Sequence, residues 1–430
     1  MLDGSPYQGY LYAYPHKTAY RPLRPRPSLT EVWAAEPRDA LFLYVHVPFC
    51  EMRCGFCNLF TRSRPPAEQV RAYLRQLRHE ASSVADALGP ATFALGAIGG
   101  GTPTFLEPSE LESLFEVLSS VGARGIPLAV ETSPATATPD RMDVLMAHGI
   151  RRVSLGVQSF LDAEAHAAGR PQRRSDVDRA LTVLRDAQAP VLNLDLIYGI
   201  PGQTASTWAL SLAETLRWAP EEVYLYPLYV RPLTGLGRRS ASGEEQEWDR
   251  QRLALYRQGR DTLRAAGYEQ LSMRHFRRTS AEVPPAEYDC QDDGMVGLGC
   301  GARSYTAGLH YSFDYAVSVS GVRAVLDDYL RRPGSDFLYA EVGFRLDEAE
   351  QRRRWLVKTL LRSKGLSVSA WLQRFGVPLP SLAPLEAKGW LGISGDRVRL
   401  TDEGLAHSDA IGPWLVSAAV RTAMEEYAPR

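Results

Sequence analysis

Between residues 41 and 230 the chain repeats one pattern six times: a short apolar run, then a longer amphipathic stretch. The apolar runs are LFLYVHV (41–47), FALGAIG (93–99), PLAVET (127–132), RRVSLGV (151–157), VLNLDLIY (191–198) and EVYLYPLYV (222–230). Between them lie segments such as AEQVRAYLRQLRHEASSVADAL and LESLFEVLSSV, whose apolar residues recur three and four apart, the spacing of one helix face. Strands that alternate with helices pair in parallel, because each helical crossover returns the chain to the same end of the sheet. Six such units predict an α/β fold built on a partial (β/α)6, TIM-like barrel. No short-period repeat or low-complexity run interrupts them.

The flanking segments differ in character. Residues 1–39 form a tyrosine- and proline-rich arm, with Tyr7, Tyr10, Tyr12, Tyr14 and Tyr20 expected to pack on the main domain or line a pocket mouth. Residues 40–240 carry the core barrel, and residues 241–343 extend it on the substrate side. This extension holds a long helix, YEQLSMRHF, the glycine-rich GMVGLGCGARSYT and strands around 305–315. Residues 344–430 read as a small helical domain with a two-stranded wing, WLGISGDRVRLT. Its second helix is not notably basic, which favours a structural or lid role over DNA binding.

Composition excludes several classes. The formal net charge of −1 creates no field toward nucleic acid or anionic lipid, and the arginines of residues 21–27 are broken by prolines into a surface strap. No run of 18 apolar residues exists, so no transmembrane helix is expected, and residues 1–20 lack the pattern of a secretory signal. Five cysteines, three of them clustered, are no disulfide framework. A cytoplasmic, monomeric protein without nucleic-acid or membrane partners is the expectation.

In an α/β barrel the active site forms at the C-terminal ends of the strands. Here the cysteine loop follows the first strand, GGGTPT (99–104) follows the second, Glu131 ends the third and Gln158 the fourth. Asp195 lies late in the fifth, and Tyr226 and Pro227 near the end of the sixth. The loop YVHVPFCEMRCGFCNLF sets Cys50, Cys54 and Cys57 at C-x3-C-x2-C spacing. Thiolates bind soft metals. A structural zinc ion needs four ligands, and His46 is the candidate to complete a Cys3His set. A [4Fe-4S] cube held by three cysteines instead leaves one iron open to a small chelator. S-Adenosylmethionine (SAM) fits that demand: its amino and carboxylate groups chelate iron, and its sulfonium accepts an electron. The glycine turn lets the backbone approach its methionine part, Glu131 and Asp195 suit its ribose hydroxyls or cationic end, and Phe56 suits its adenine.

The segments YVHVPFCEMRCGFC, GGGTPT, RRVSLGVQSF, AAGRPQRR, LNLDLIYGIPGQT, LYPLYVRPLTGL and GLGCGARSYT together resemble the radical SAM superfamily, in its oxygen-independent coproporphyrinogen III oxidase-like (HemN-type) family, over residues 41 to about 420. The resemblance implies that Cys50, Cys54 and Cys57 ligate a [4Fe-4S] cluster. It implies SAM contacts, to one molecule or two, from Tyr44, Phe56, Gly100, Gly101, Thr102, Glu131, Gln158, Arg170 and Asp195. It also implies a small-molecule substrate and an electron donor such as flavodoxin or ferredoxin. Arg170 has a plainer reading as a salt bridge closing a helix onto the barrel, and Gln158 and Asp195 as buried polar groups satisfied by backbone.

Two departures bear on function. The oxidases carry a further cysteine two residues after the third; here that position is Leu59. Glu131 is followed by Thr132-Ser133-Pro134, where an acidic or amide residue before the proline is usual. The family also includes haem chaperones and radical SAM C-methyltransferases or cyclopropanases, so these activities stand beside oxidative decarboxylation of a porphyrinogen propionate. The arm of about forty residues before the cluster motif is a feature of the enzymes. Cys290 and Cys300 are candidates for a hydrogen donor or second-site ligand, or are small buried residues beside a glycine turn, the favoured reading. Asp292 and Asp293 are polar candidates near the same mouth.

Overall fold

A computed structural model describes residues 2–237, 245–281, 290–292 and 294–428. The six expected strands form: β1 (Leu41–Val47), β2 (Phe93–Gly100), β3 (Leu128–Thr132), β4 (Ile150–Gln158), β5 (Val191–Tyr198) and β6 (Glu222–Pro227). They lie side by side in chain order, each paired in parallel with the next. Helices α1 (Ala67–Leu88), α2 (Pro108–Ser120), α3 (Pro139–Ala147), α4 (Arg174–Asp186) and α5 (Ala205–Arg217) connect them. On α1 the residues Val70, Tyr73, Leu74, Leu77, Ala81, Val84 and Leu88 are buried, the apolar stripe that seats this helix on the sheet. On β1 the residues Leu41, Leu43, Val45 and Val47 are buried toward the helices, so Phe42, Tyr44 and His46 turn to the opposite face.

The sheet extends on both sides of this core. Beyond β6 come β8 (His275–Arg278) and then β7 (Tyr268–Gln270), both antiparallel to their neighbours. Beyond β1 comes β9 (Met295–Leu298), with β10 (Arg303–Tyr305), β11 (Leu309–Ser312) and β12 (Val342–Arg345) outside it. The strand β9 runs parallel to β1, with Gly297 opposite Tyr44. The expected strands around 305–315 therefore exist, but the glycine-rich stretch before them is also a strand. Alternation could not reveal it, because glycine has no side chain to mark a face. The sheet remains open, a partial barrel. The sixth strand ends at Pro227, earlier than the apolar run, although Leu228 still donates its N–H to the Tyr198 carbonyl of β5 at 2.8 Å.

Helix α6 (Glu245–Ala265) and α7 (Val319–Arg331) complete the barrel layer. In the C-terminal segment the wing forms as Leu391–Ser394 and Arg397–Leu400, with Leu366–Ser367 pairing on the latter as a third strand. Helices Glu348–Leu360 and Val368–Phe375 precede it, around a core that includes Trp371, Leu385, Val398 and Ile411. The N-terminal arm is built into both parts. Tyr14 is fully buried with this C-terminal core, while Tyr7 packs against Tyr198 of β5 with ring centroids 6.2 Å apart. Gly9 donates its N–H to the Asp409 carbonyl at 3.1 Å.

Candidate functional site

The cysteine loop leaves the C-terminal end of β1 and is fastened from several directions. Residues Phe49 and Cys50 pair in parallel with Arg62 and Ser63, closing the loop on itself. The Gly55 N–H donates to the Gly169 carbonyl at 3.0 Å, and the Gly55 carbonyl accepts from Leu236 at 2.8 Å. Both partners here must be glycine: a Cβ on Gly169, whose φ is +71°, would sit 2.7 Å from the Gly55 Cα. The AAGR motif thus brings Arg170 to the loop, and its Nη1 lies 3.9 Å from the Cys54 sulfur. Arg170 makes no ion pair with a carboxylate among the described residues, which corrects its reading as a salt bridge.

The three thiols face different partners. Thr102 donates its hydroxyl to the Cys50 sulfur at 3.6 Å, and Thr61 lies 3.9 Å from that of Cys57. Burial pushes the Cys50 thiol well above its ordinary pKa. Burial raises that of Cys54 too, partly offset by the Arg170 charge. A metal that bound here would have to displace protons from these thiols.

His46 is not available as a fourth ligand. Its Nε2 stands 2.9 Å from the Phe60 carbonyl, which can only accept, so Nε2 carries the proton and Nδ1 accepts from the Tyr44 hydroxyl at 3.2 Å. Burial holds the ring neutral, with its pKa lowered to about 4. Both nitrogens are engaged, and the ring is clamped between Gly100 and Gly301. Among the described residues no group of three or more His, Cys, Asp or Glu side chains converges on a point that would hold a single ion. Three thiols ranged along one loop, with the nearby histidine occupied, suit a multi-iron cube better than a zinc ion.

The glycine turn after β2 is stitched to the same loop. Gly101 donates its N–H to the Val47 carbonyl at 2.8 Å, Thr102 to that of Phe49 at 2.7 Å, and Gly100 to the Glu131 carboxylate at 3.1 Å. These N–H groups are all engaged within the protein. The turn is not an anion-binding nest, and contacts from it to a ligand must come through carbonyl oxygens. Ser133, the departure from the usual residue after Glu131, donates its hydroxyl to Glu51 at 2.8 Å and ties β3 to the cysteine loop.

Across the lumen stand the other candidates. Glu131 opens onto the lumen but is ringed by the barrel wall; this burial raises its pKa to about 7, with the Asp195 charge adding to it. Burial likewise raises Asp195 to about 6, against a hydrogen bond from the Asn193 side chain at 2.8 Å. The partner of Asp195 is thus a side chain, where the plainer reading expected backbone. Gln158 sits where β4 bulges, with φ +66°, a left-handed conformation rare for a non-glycine residue and typical of strained functional positions. Phe56 packs with Ala168, Ile197, Ile200 and Leu228, reaching from the loop to the ends of β5 and β6.

Cys300 is fully buried in the main core, as the favoured reading expected. Cys290 is half-buried against the small cluster of Ala13, Met295 and Tyr305. Asp292 faces Arg354 at 3.7 Å and Arg374 at 3.6 Å, a structural cluster, and Asp293 lies outside the described residues. Sequence reasoning missed Lys17 and Arg303, which the fold brings toward the cysteine loop and Tyr44; Arg303 lay inside a motif already singled out, GLGCGARSYT.

The donor set fits an iron–sulfur cluster and a chelating cationic nucleoside: three thiols on one anchored loop, two lumen carboxylates, an arginine at the cluster edge and an aromatic face. Comparison with known proteins agrees. Residues 44–213 match the model of the radical SAM superfamily, and residues 346–407 that of the HemN C-terminal domain. The chain is 33% identical to the oxygen-independent coproporphyrinogen III oxidase of Paracoccus denitrificans over 310 residues, 68% of each chain. It is 27% identical to the heme chaperone HemW of Bacillus subtilis over 396 residues, 86% of this chain and 98% of that one. Its fold matches that of coproporphyrinogen III oxidase (HemN) from Escherichia coli with a TM-score of 0.78 at 22% identity, covering 97% of this chain and 98% of the other. No helix among the described residues is long and apolar enough to cross a membrane.

Proposed function

Since the chain belongs to the radical SAM superfamily, in its oxygen-independent coproporphyrinogen III oxidase-like family, we propose that it is an enzyme that abstracts hydrogen from an organic substrate. A [4Fe-4S] cluster with SAM supplies this chemistry by reductive cleavage of SAM to methionine and a 5′-deoxyadenosyl radical. The observation that carries the reading is the cysteine loop itself: Cys50, Cys54 and Cys57 stand free on one anchored loop while His46, the nearest alternative ligand, is engaged at both nitrogens.

In this reading Cys50, Cys54 and Cys57 hold the cluster, and the Arg170 guanidinium offsets its charge at Cys54. Glu131 and Asp195 accept hydrogen bonds from the ribose or the cationic end of SAM, and Gln158 borders them at the strand end. The turn Gly100-Gly101-Thr102 offers carbonyls to the methionine part, Phe56 an apolar face to adenine, and Tyr44 a wall of the lumen. The substrate in this proposal is a porphyrinogen-like propionate, decarboxylated oxidatively, with flavodoxin or ferredoxin as electron donor.

The test is anaerobic purification, cluster reconstitution, addition of SAM and a strong reductant, and measurement of 5′-deoxyadenosine. Wild type should form it and Cys54→Ala should not. A fully loaded wild type that forms none, with candidate substrates present, overturns the enzyme reading. A second reading, a haem chaperone, draws on the match to nearly the whole length of the HemW relative and on Leu59 in place of the further cysteine. It requires tight haem binding without 5′-deoxyadenosine. The absence of that further cysteine also keeps in view a C-methyltransferase or cyclopropanase that uses two SAM molecules.

A further inference from the structure

Two cations stand near the cysteine loop, each without a carboxylate partner among the described residues. Lys17, on the arm, lies with its Nζ 3.5 Å from the centre of the Tyr315 ring. Tyr315 in turn donates its hydroxyl to the carbonyl of Asn58, the residue after Cys57, at 2.8 Å. Arg303, on β10, donates from Nη1 to the Tyr12 hydroxyl at 2.7 Å, and its Nε is buried with no hydrogen-bond partner. The Tyr20 hydroxyl is likewise buried and unpartnered. Among the described residues no carboxylate pairs with either cation. Burial first, and the Arg303 charge second, depress the pKa of the Lys17 ammonium well below its ordinary value.

Partly buried basic groups without a carboxylate partner are costly to charge, and proteins keep them where an anionic ligand compensates. Three anions are conceivable: the cluster, the SAM carboxylate and a substrate. Topology separates them. Apart from Tyr44 on β1 itself and Phe56 on the cysteine loop, the residues matched to SAM contacts lie on or just after β2 to β5, on one side of β1, whereas β10 lies beyond β9 on the other side. That flank is walled by aromatic rings: Tyr12 from the arm, Tyr44 from β1, and Tyr305 from β10. Flat aromatic walls ending in cations suit a planar ring system that carries a carboxylate arm.

We propose that Lys17 and Arg303 form an anion seat that binds a carboxylate of the substrate, with the N-terminal arm supplying half of it. The assignment rests on the enzyme reading above and deepens it. The seat orients one acidic arm of the substrate toward the cysteine loop, and the unpartnered Arg303 Nε and Tyr20 hydroxyl are donors free to serve it. Charge-assisted hydrogen bonds of this kind are the strong ones, so losing one cation should weaken binding about tenfold or more.

The probe is coproporphyrin III, a stable tetracarboxylate, titrated by fluorescence into the cluster-loaded full chain without oxygen, with its tetramethyl ester as the uncharged control. Wild type should bind the acid and not the ester. Lys17→Met and Arg303→Gln should each bind it about tenfold or more weakly, while Lys17→Arg should retain it. Circular dichroism checks that Arg303→Gln folds; if it does not, Lys17→Met decides alone. The proposal is overturned if wild type binds acid and ester alike, if it fails to bind the acid, or if Lys17→Met binds as wild type. It is also overturned if Lys17→Met shifts only the cluster midpoint potential, which would make the lysine a neighbour of the cluster and nothing more. Charge-dependent binding without 5′-deoxyadenosine would defeat the enzyme reading and leave the anion seat standing.

Discussion

Alanine at Gly100 meets two obstacles at once. The backbone there has φ +110°, a region closed to L-residues without strain, and a Cβ would lie 2.4 Å from Cε1 of His46 and 2.6 Å from its Nδ1. The ring has nowhere to go. Its far face meets Gly301, where a Cβ would be 2.7 Å from Nε2, and its two nitrogens are tied to Phe60 and Tyr44. The backbone contributes about 1–3 kcal/mol of destabilisation and the forced displacement about 1–3 kcal/mol more. That sum, about 2–6 kcal/mol, is a large part of a typical domain's 5–15 kcal/mol. Moving the ring also pulls on the Phe60 carbonyl, so the cysteine loop should lose its shape and iron uptake should fall. The assay is urea unfolding followed by circular dichroism, with iron content after anaerobic reconstitution. Gly125→Ala is the control: its φ is +76°, but nothing lies within 4 Å of the added methyl, so it should lose only about 1 kcal/mol and no iron. If Gly100→Ala matches Gly125→Ala in both urea midpoint and iron content, the clamp on His46 does not work as described.

Three further outcomes follow from charge. Glu131 and Asp195 hold protons in the folded, ligand-free protein up to about pH 7 and about pH 6, which the unfolded chain has already released. Their contribution to stability is therefore present at low pH and lost as pH rises through those values. Cationic SAM favours their ionised forms, so the melting shift it produces should grow between pH 5.5 and pH 8, and grow less in Glu131→Gln; a pH-independent shift would count against both carboxylates as contacts. Glu222→Gln removes a buried carboxylate that bonds Arg152 at 2.7 Å and Arg277 at 2.9 Å. It should lower the urea midpoint by the equivalent of about 3–5 kcal/mol with iron content unchanged, because Glu222 opens β6 at the end away from the loop; lost iron would contradict that placement. Asp409→Asn weakens the buried contacts of Arg274 and Tyr229 with the carboxylate, in a cluster where Arg274 also lies over the Tyr10 ring at 3.8 Å. Limited proteolysis should then cleave the arm faster than the barrel, and equal rates would show that this ion pair does not hold the arm down.

What the sequence disclosed depended on whether side chains carried the signal. VLNLDLIY and the helix over 67–88 were legible to the residue, because apolar spacing runs through them without a break. The strand Met295–Leu298 is hidden by its own glycine, and the sixth apolar run outlasts its strand, so apolar character alone does not mark the strand's end. In the site, spacing alone located the cysteines, but it could not tell whether His46 was a ligand. That depends on what its two nitrogens touch, namely Phe60, fourteen residues on, and Tyr44. Lys17 and Arg303 are nearly three hundred positions apart in sequence. Only the return of β9 and β10 to the flank of β1, with the arm laid over them, brings both to one flank, where Tyr12 meets Arg303 and packs on His16 beside Lys17.

The same geometry bears on how the cysteine loop acquires its shape. Its backbone is bound by Gly169 and Leu236 at Gly55, by Arg64 at the Cys50 carbonyl, by Tyr315 at Asn58 and by His46 at Phe60. These anchors come from β1, from the segment after β4, from the chain beyond β6 and from the region after β11, so the loop is complete only once the whole barrel has assembled. In a zinc finger the metal supplies the folding energy, and its ligands are disordered without it. Here packing and backbone hydrogen bonds from distant parts of the barrel would help to position the thiols alongside any cluster they hold. A loop held in this way should leave the barrel folded when a chelator removes the iron, which circular dichroism would check. Such anchoring would also keep the three thiols, as ligands of a cluster, at the end of the barrel where Glu131 and Asp195 lie.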